Sequence, residues 1–215
     1  MDELIQKLAN KISKHNNKMI IGISGHGASG KTTIAEKLRK ALAPDEVNYI
    51  NTDPYIIGSS LRKYAKIGYQ YHNEEHFYKM TACHPAAHNI AGLERDIQMI
   101  RDGFGFKTID TSYMPSKLIS SQNRVSIVEG MSVAFTKPDL YDLTIYLYTD
   151  GDTEFSRRSV RDISERGMDI NYLKQSHEER RIQYELFMHP YHQKFDIVIK
   201  NDDEGLILEK EEIER

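Results

Sequence analysis

Residues 22–38, "GISGHGASGKTTIAEKL", constrain the fold more than any other stretch, because they run from an apolar strand end through a glycine-rich turn into a helical pattern. Gly25, Gly30, Lys31 and Thr32 fit G-x-x-x-x-G-K-[ST]. Upstream, "KMIIGIS" at 18–24 has the composition of a strand covered on both faces. Downstream, Ile34, Ala35, Leu38, Ala41 and Leu42 recur at helical spacing until Pro44. Glycines let such a turn curl so that successive N–H groups face one anion, and the helix N-terminus adds partial positive charge. Gly25, Gly27, Ser29, Gly30, Lys31, Thr32 and Thr33 are the expected phosphate-binding residues. Lys31 can reach the outer phosphates, and the Thr32 hydroxyl can serve Mg²⁺. The expected bound compound is a nucleoside triphosphate, ATP or GTP.

The rest of the chain fits a parallel α/β sheet in one domain, residues 1–215. Strand-like runs recur at 47–51, 124–135, 142–150 and in "KFDIVIKND" at 194–202. Helical patterns occupy the amphipathic N-terminus, 90–103, 152–166 with Asp152 as the expected N-cap, and 169–188. The tail "EKEEIER" reads as a solvated helix end. The core thus starts at 18–51, an insertion spans 52–123, and a helical lid spans 152–188. The insertion from Thr52 to Asn89 carries no long apolar run and reads as surface helices and loops around a site.

Charge is nearly balanced, 29 Lys+Arg against 32 Asp+Glu, which argues against a nucleic acid polymer or a membrane surface as partner. The single cysteine, Cys83, excludes an intrachain disulfide framework and fits the cytoplasm. Sequence leaves a homo-oligomer open. Cys83, His84 and His88 lack the four-ligand spacing of a structural zinc site.

Three further places carry chemistry. Asp53 follows the second strand in "NTDPY", where a carboxylate at a parallel strand's C-terminal end faces the same crevice as the loop and can take a proton from a hydroxyl. Glu129 ends "VSIVE", a position suited to Mg²⁺. "SRRSVRDISERG" packs Arg157, Arg158 and Arg161 into five residues, and arginines on a lid can neutralise charge on a moving phosphoryl group.

These pieces together resemble the uridine kinase and phosphoribulokinase group of P-loop small-molecule kinases, with uridine kinases the stronger likeness. The motifs are "GISGHGASGKTT", "TDPY", "HP" at 84–85, "VEGM", "SRRSVRDISERG" and "YHQKFDIVI", in the family's order over most of 18–202. The resemblance implies a P-loop NTPase fold with an arginine lid and transfer of the γ-phosphoryl of ATP or GTP to a hydroxyl of a small molecule, uridine or cytidine first. It makes Asp53, Lys31, Arg158 and Arg161 the catalytic set and places Mg²⁺ with Thr32, Glu129 and Asp53. Substrate contacts would come from Tyr55, His84, Tyr113, Arg158, Arg161 and Gln175.

The departures fall on the acceptor side. Ala86 and Asn89 in "HPAAHN" stand where uridine kinases carry carboxylates, Met114 and Lys117 replace an acid and a histidine after Tyr113, and Met168 replaces a lid arginine. A sugar, sugar phosphate or vitamin alcohol is therefore the alternative acceptor. The stretch 64–88, with Tyr64, Tyr69, Tyr71, His72, His76, Tyr78, His84 and His88, suits a small polar ligand or a half-buried polar surface. From another class, a GTP-dependent switch would use "TKPD" at 136–139 to read guanine and "DGFG" at 102–105 to sense phosphate. A degenerate kinase that only binds nucleotide would not need Lys31, Thr32, Asp53 and Glu129 intact.

Overall fold

The computed structural model describes residues 2–15, 17–166 and 169–212, with the side chains of 45, 161–166, 171, 172 and 175 outside the description. In chain order the elements are α1 Asp2–Lys14, β1 Met19–Gly25, α2 Lys31–Ala41, β2 Val47–Asn51, α3 Ser59–Arg62, β3 Lys66–Tyr71 and β4 Glu74–Lys79. They continue with α4 Ile90–Arg101, β5 Phe106–Lys107, β6 Leu118–Ile119, β7 Val125–Glu129, β8 Leu143–Tyr148, α5 Gly151–Arg166, α6 Ile170–Phe187, β9 Ile197–Asp202 and β10 Gly205–Glu211.

The main sheet has the order β10-β9-β8-β1-β7-β2, with every pair parallel except β10 against β9. Its central strands are buried on both faces, as their continuous apolar runs require: all seven residues of β1 and all five of β7 are buried. On one face α1 and α2 cover Ile21, Ile23, Ile127 and Ile145; on the other, α4 and the 131–135 turn cover Ile20, Val128 and Tyr146. The C-terminal strand ends therefore open at one edge of this sandwich, where Gly25, Asn51 and Glu129 fall. Among the described residues no helix is long and apolar enough to cross a membrane.

Five expectations change. The stretch 66–79 is a β-hairpin, not helix and loop, closed by His72 and Asn73 with φ of 49° and 68°, the left-handed pair of a tight two-residue turn. The strand expected over 124–135 stops at Glu129, where Gly130 turns the chain into a 3-10 helix. The tail "EKE" continues β10 to Glu211, held to α1 by Lys7–Glu211 at 2.6 Å. The cap of α5 is Asp150, whose carboxylate accepts from the Thr153 N–H at 2.8 Å and hydroxyl at 2.9 Å. "DGFG" closes α4: Gly103 N–H donates to Ile100 and Phe104 N–H to Met99, the Schellman pairing, which leaves no switch loop there.

Candidate active site

The phosphate loop is shaped by what lies beneath it. A Cβ on Gly25, whose φ is 143°, would stand 1.9 Å from the Leu147 carbonyl oxygen, so only glycine lets β1 turn here beside β8. Ser29 is fully buried, and its carbonyl accepts from Asn201 Nδ2 at 2.9 Å, which ties the loop to β9. Lys31 folds back to donate to the His26 carbonyl at 3.0 Å. Gly27, Gly30, Lys31, Thr32 and Thr33 line a cleft of about 590 Å³ together with Asn51, Asp53, Glu129, Arg157, Arg158, Arg180 and Asn201. Gly25 and Ser29 shape the loop from below and do not line it.

At the cleft floor Glu129 is 2% exposed. Its Oε2 accepts from Tyr49 at 2.8 Å and from Asn51 Nδ2 at 3.4 Å, while Oε1 accepts from the Thr32 hydroxyl at 3.4 Å. Burial first, and the Glu129 charge next, push the Tyr49 phenol up, so it stays a donor. A carboxylate oxygen fixed by two outer partners, beside a hydroxyl at the start of a helix, fits Mg²⁺, a hard cation that takes oxygen ligands and retains water. Asp53 begins the turn after β2, and its N–H donates to Asn51 Oδ1 at 2.8 Å. Its carboxylate is exposed and accepts no hydrogen bond among the described residues.

A second cleft, of about 830 Å³, adjoins the first and shares Asp53, Arg158 and Arg180 with it. Tyr113 lines it and donates to the Asp53 carbonyl at 3.3 Å. Two expected substrate residues are corrected. Tyr55 is 1% exposed and its hydroxyl donates to Asp96, so it belongs to the core under α4. His84 lines neither cleft; its Nδ1 accepts from the Ala86 N–H at 3.2 Å, capping its own turn. The side chains of Arg161 and Gln175, and the whole of Met168, lie outside the described residues.

Three of the tyrosines and histidines of 64–88 serve docking. Tyr69 donates to Glu179 at 2.5 Å and accepts from Gln183 Nε2 at 3.0 Å, Tyr71 donates to Glu185, and His76 pairs with Glu179 at 3.1 Å. The hairpin is thereby pinned to α6, and of this set only Tyr78 lines the second cleft.

Arg180 and Glu154 escaped the sequence reading. Glu154, 1% exposed in its side chain, lies between Arg158 at 3.7 Å, Arg180 at 3.6 Å and Arg181 at 3.5 Å. His26 Nε2 accepts from the Thr149 N–H at 3.0 Å, which puts its proton on Nδ1, where it donates to the Gly27 carbonyl at 2.8 Å and faces Glu154 at 3.3 Å. Burial pushes the Glu154 carboxyl up, yet His26, Arg180 and Arg158 outweigh it and hold the group well below the usual range. A Cβ added to Gly27 would stand 2.9 Å from Arg180 Nη2, so this guanidinium rests directly on the loop. One buried acid thus holds two arginines at the cleft over the glycine-rich loop. Nothing in "DTEF" or "HEERRIQ" marks them, since each sits in a helix crowded with charge.

A parallel sheet, a phosphate loop at its C-terminal edge and arginines from two following helices define a P-loop kinase architecture. The chain belongs to the phosphoribulokinase / uridine kinase family, which matches residues 20–207. It is 29% identical over 201 residues to a uridine kinase from Vibrio cholerae, covering 87% of this chain and 89% of that protein. Solved structures share the fold: phosphoribulokinase from Rhodobacter spheroides, with a TM-score of 0.57, 16% identity and coverage of 86% of this chain and 71% of that one. D-glycerate 3-kinase from Cryptococcus neoformans gives a TM-score of 0.59 at 11% identity, covering 95% and 99%.

Proposed function

We propose that this chain is a Mg²⁺-dependent kinase that moves the γ-phosphoryl of ATP or GTP to a hydroxyl of a small molecule. The observation that carries the reading is the junction of the two clefts at Asp53, Arg158 and Arg180. The loop N–H groups and Lys31 hold the β- and γ-phosphates in the first cleft, and the acceptor enters the second. Asp53 takes the proton of the attacking hydroxyl. Arg158 and Arg180 neutralise charge on the phosphoryl group as it passes between the clefts. Mg²⁺, with Thr32 and Glu129 as its neighbours, supplies charge neutralisation on the leaving phosphates when bound. Little covalent chemistry is asked of the protein, so alignment and electrostatics provide most of the rate.

Relatives named uridine kinase make a pyrimidine nucleoside the first acceptor to assay. The test is ADP and GDP release with Mg²⁺ and each triphosphate across nucleosides, sugars, sugar phosphates, hydroxy acids and vitamin alcohols. Acceptor-stimulated release upholds the reading; tight guanine binding with no phosphorylated acceptor points instead to a switch. Lys31→Ala should weaken triphosphate binding itself by about 10-fold or more, the worth of a charge-assisted hydrogen bond. Unaltered affinity by calorimetry would remove the loop from the site.

A further inference from the structure

The second cleft has a charge that a neutral nucleoside cannot use. Among the described residues its lining holds five cationic side chains, Arg62, Lys63, Lys79, Arg158 and Arg180, against one carboxylate, Asp53. Arg158 and Arg180 also line the nucleotide cleft and flank Glu154. Arg62, Lys63 and Lys79 line the second cleft and not the first.

Arg62, the last residue of α3, is fixed in place. Its Nε donates to the Ile57 carbonyl at 2.7 Å and its Nη1 to the Met80 carbonyl at 3.0 Å, so the guanidinium spans the chain entering α3 and the strand leaving the hairpin. Among the described residues no carboxylate pairs with Arg62, and Nη2 makes no hydrogen bond. Burial, and then the charge of Arg180 across the cleft, hold Arg62 below the ordinary arginine value. Two guanidiniums that repel each other across a cavity are stabilised by an anion between them. The positions where the resemblance placed acceptor-side carboxylates add no negative charge. Ala86 is exposed, and Asn89 is spent capping α4 by accepting from the Gly92 N–H at 3.1 Å.

We propose that the acceptor carries an anionic group, a phosphate monoester or a carboxylate, in addition to its reacting hydroxyl, and that Arg62 with Lys63 and Lys79 holds it. The proposal rests on the kinase reading above. In the transfer, the acceptor oxygen forms a bond to the γ-phosphorus as the bond from that phosphorus to the β,γ-bridging oxygen breaks. The hydroxyl proton passes to Asp53, and the nucleoside diphosphate leaves. Arg158 and Arg180 then lie between two anions, the moving phosphoryl and the acceptor's own group, which is the arrangement their shared position in both clefts favours.

The test uses matched pairs with the whole chain, Mg²⁺ and ATP: ribose 5-phosphate against ribose, glycerate against glycerol, and uridine alone. The anionic member of at least one pair should exceed its neutral partner about 100-fold or more in kcat/KM, since a site built to bond a group rejects analogues that lack it. The phosphate and carboxylate arms tell the two sources apart. Arg62→Gln should lower kcat/KM for that acceptor about 10- to 100-fold, mainly by raising KM, with ATP affinity retained. Because Arg62 also ties two backbone carbonyls, Lys63→Gln, at an exposed position, serves as the second variant and should raise the same KM. Uridine or a neutral sugar turned over as well as the anionic compounds, or either variant without effect on them, overturns the proposal. Calorimetry of inorganic phosphate on protein saturated with a non-hydrolysable ATP analogue separates the two readings. Phosphate binding that Arg62→Gln weakens, with no acceptor turned over, upholds the anion site and sinks the kinase; turnover of neutral acceptors without phosphate binding does the reverse.

Discussion

The cleft over the phosphate loop is built around Gly27, Ala28, Gly30, Lys31, Thr32 and Thr33 from one short stretch, with Asn51, Asp53, Glu129, Met131, Arg157, Arg158, Arg180 and Asn201 closing over it, while its neighbour has no such base and gathers residues from 53–63, 78–82, 113, 158 and 173–180. The first is held by backbone geometry: Gly25 packed on Leu147, Gly130 N–H donating to Ile23 at 3.0 Å, and Lys31 bonded to its own loop. The second is held by side chains that meet across long stretches of sequence. Gln183 accepts from the Thr81 N–H and hydroxyl, both at 2.8 Å, and α6 anchors the hairpin through Glu179 and Glu185. Only the loop itself is encoded in one stretch, and fixed backbone contacts beneath it set its shape. A site assembled from distant side chains can exchange its lining while the fold and the phosphate chemistry stay constant.

Glu154 is where the two constructions join, and its loss should have the largest effect. Glu154→Gln leaves Arg158, Arg180 and Arg181 facing one another without their shared acid, and breaking one partner of a buried ion cluster costs about 3–5 kcal/mol. Urea unfolding should report this at neutral pH. The sign with pH follows from the depressed folded value: the wild-type contribution is present above the ordinary glutamate value of 4.5 and is lost as pH falls through the lower folded value. The variant should lack that segment of the acid-unfolding curve. Equal stability of the two proteins at pH 7 would show that the clefts are not coupled through this carboxylate.

Asp53 tests the shared wall next. Asp53→Asn should retain nucleotide affinity while lowering turnover by about 10² or more, as removal of a positioned base does. That corresponds to nearly 3 kcal/mol of barrier. Unchanged turnover would remove Asp53 from proton transfer and leave it a turn residue before Pro54.

The same contrast explains what could be read in advance. β1, the loop, α2, Glu129 and the arginine run of α5 are each legible because a few consecutive residues determine them: a β-branched run, a glycine spacing, a helical period. The hairpin hid because its alternating inward residues are Ile67, Tyr69 and Tyr71, then His76 and Tyr78, so the period of two is carried by amphipathic rings rather than aliphatic side chains. Its turn is His-Asn instead of a glycine pair. Tyr55 and His84 were placed at the acceptor by position in a motif, whereas burial against Asp96 and a local cap decide their partners. Arg180 could be found only by folding, since its contact with Gly27 spans most of the chain.

The smallest expected effect addresses the hairpin's docking. Tyr69→Phe removes a hydroxyl that donates to Glu179 and accepts from Gln183, while the ring keeps its stacking on His76 at 5.6 Å between centroids. The loss should be about 1 kcal/mol, the net worth of one such bond, with Glu179 still served by His76. A change of that size in global unfolding is slight, so the informative readouts are local. Amide exchange over 66–79 should quicken relative to β1 and β7, because the hairpin opens without the sheet. KM for the acceptor should rise by a few fold, since Tyr78 and Lys79 reach the second cleft from β4, while ATP affinity stays fixed. If ATP affinity moves with the acceptor KM, the two clefts are one mechanical unit and the contrast between them fails.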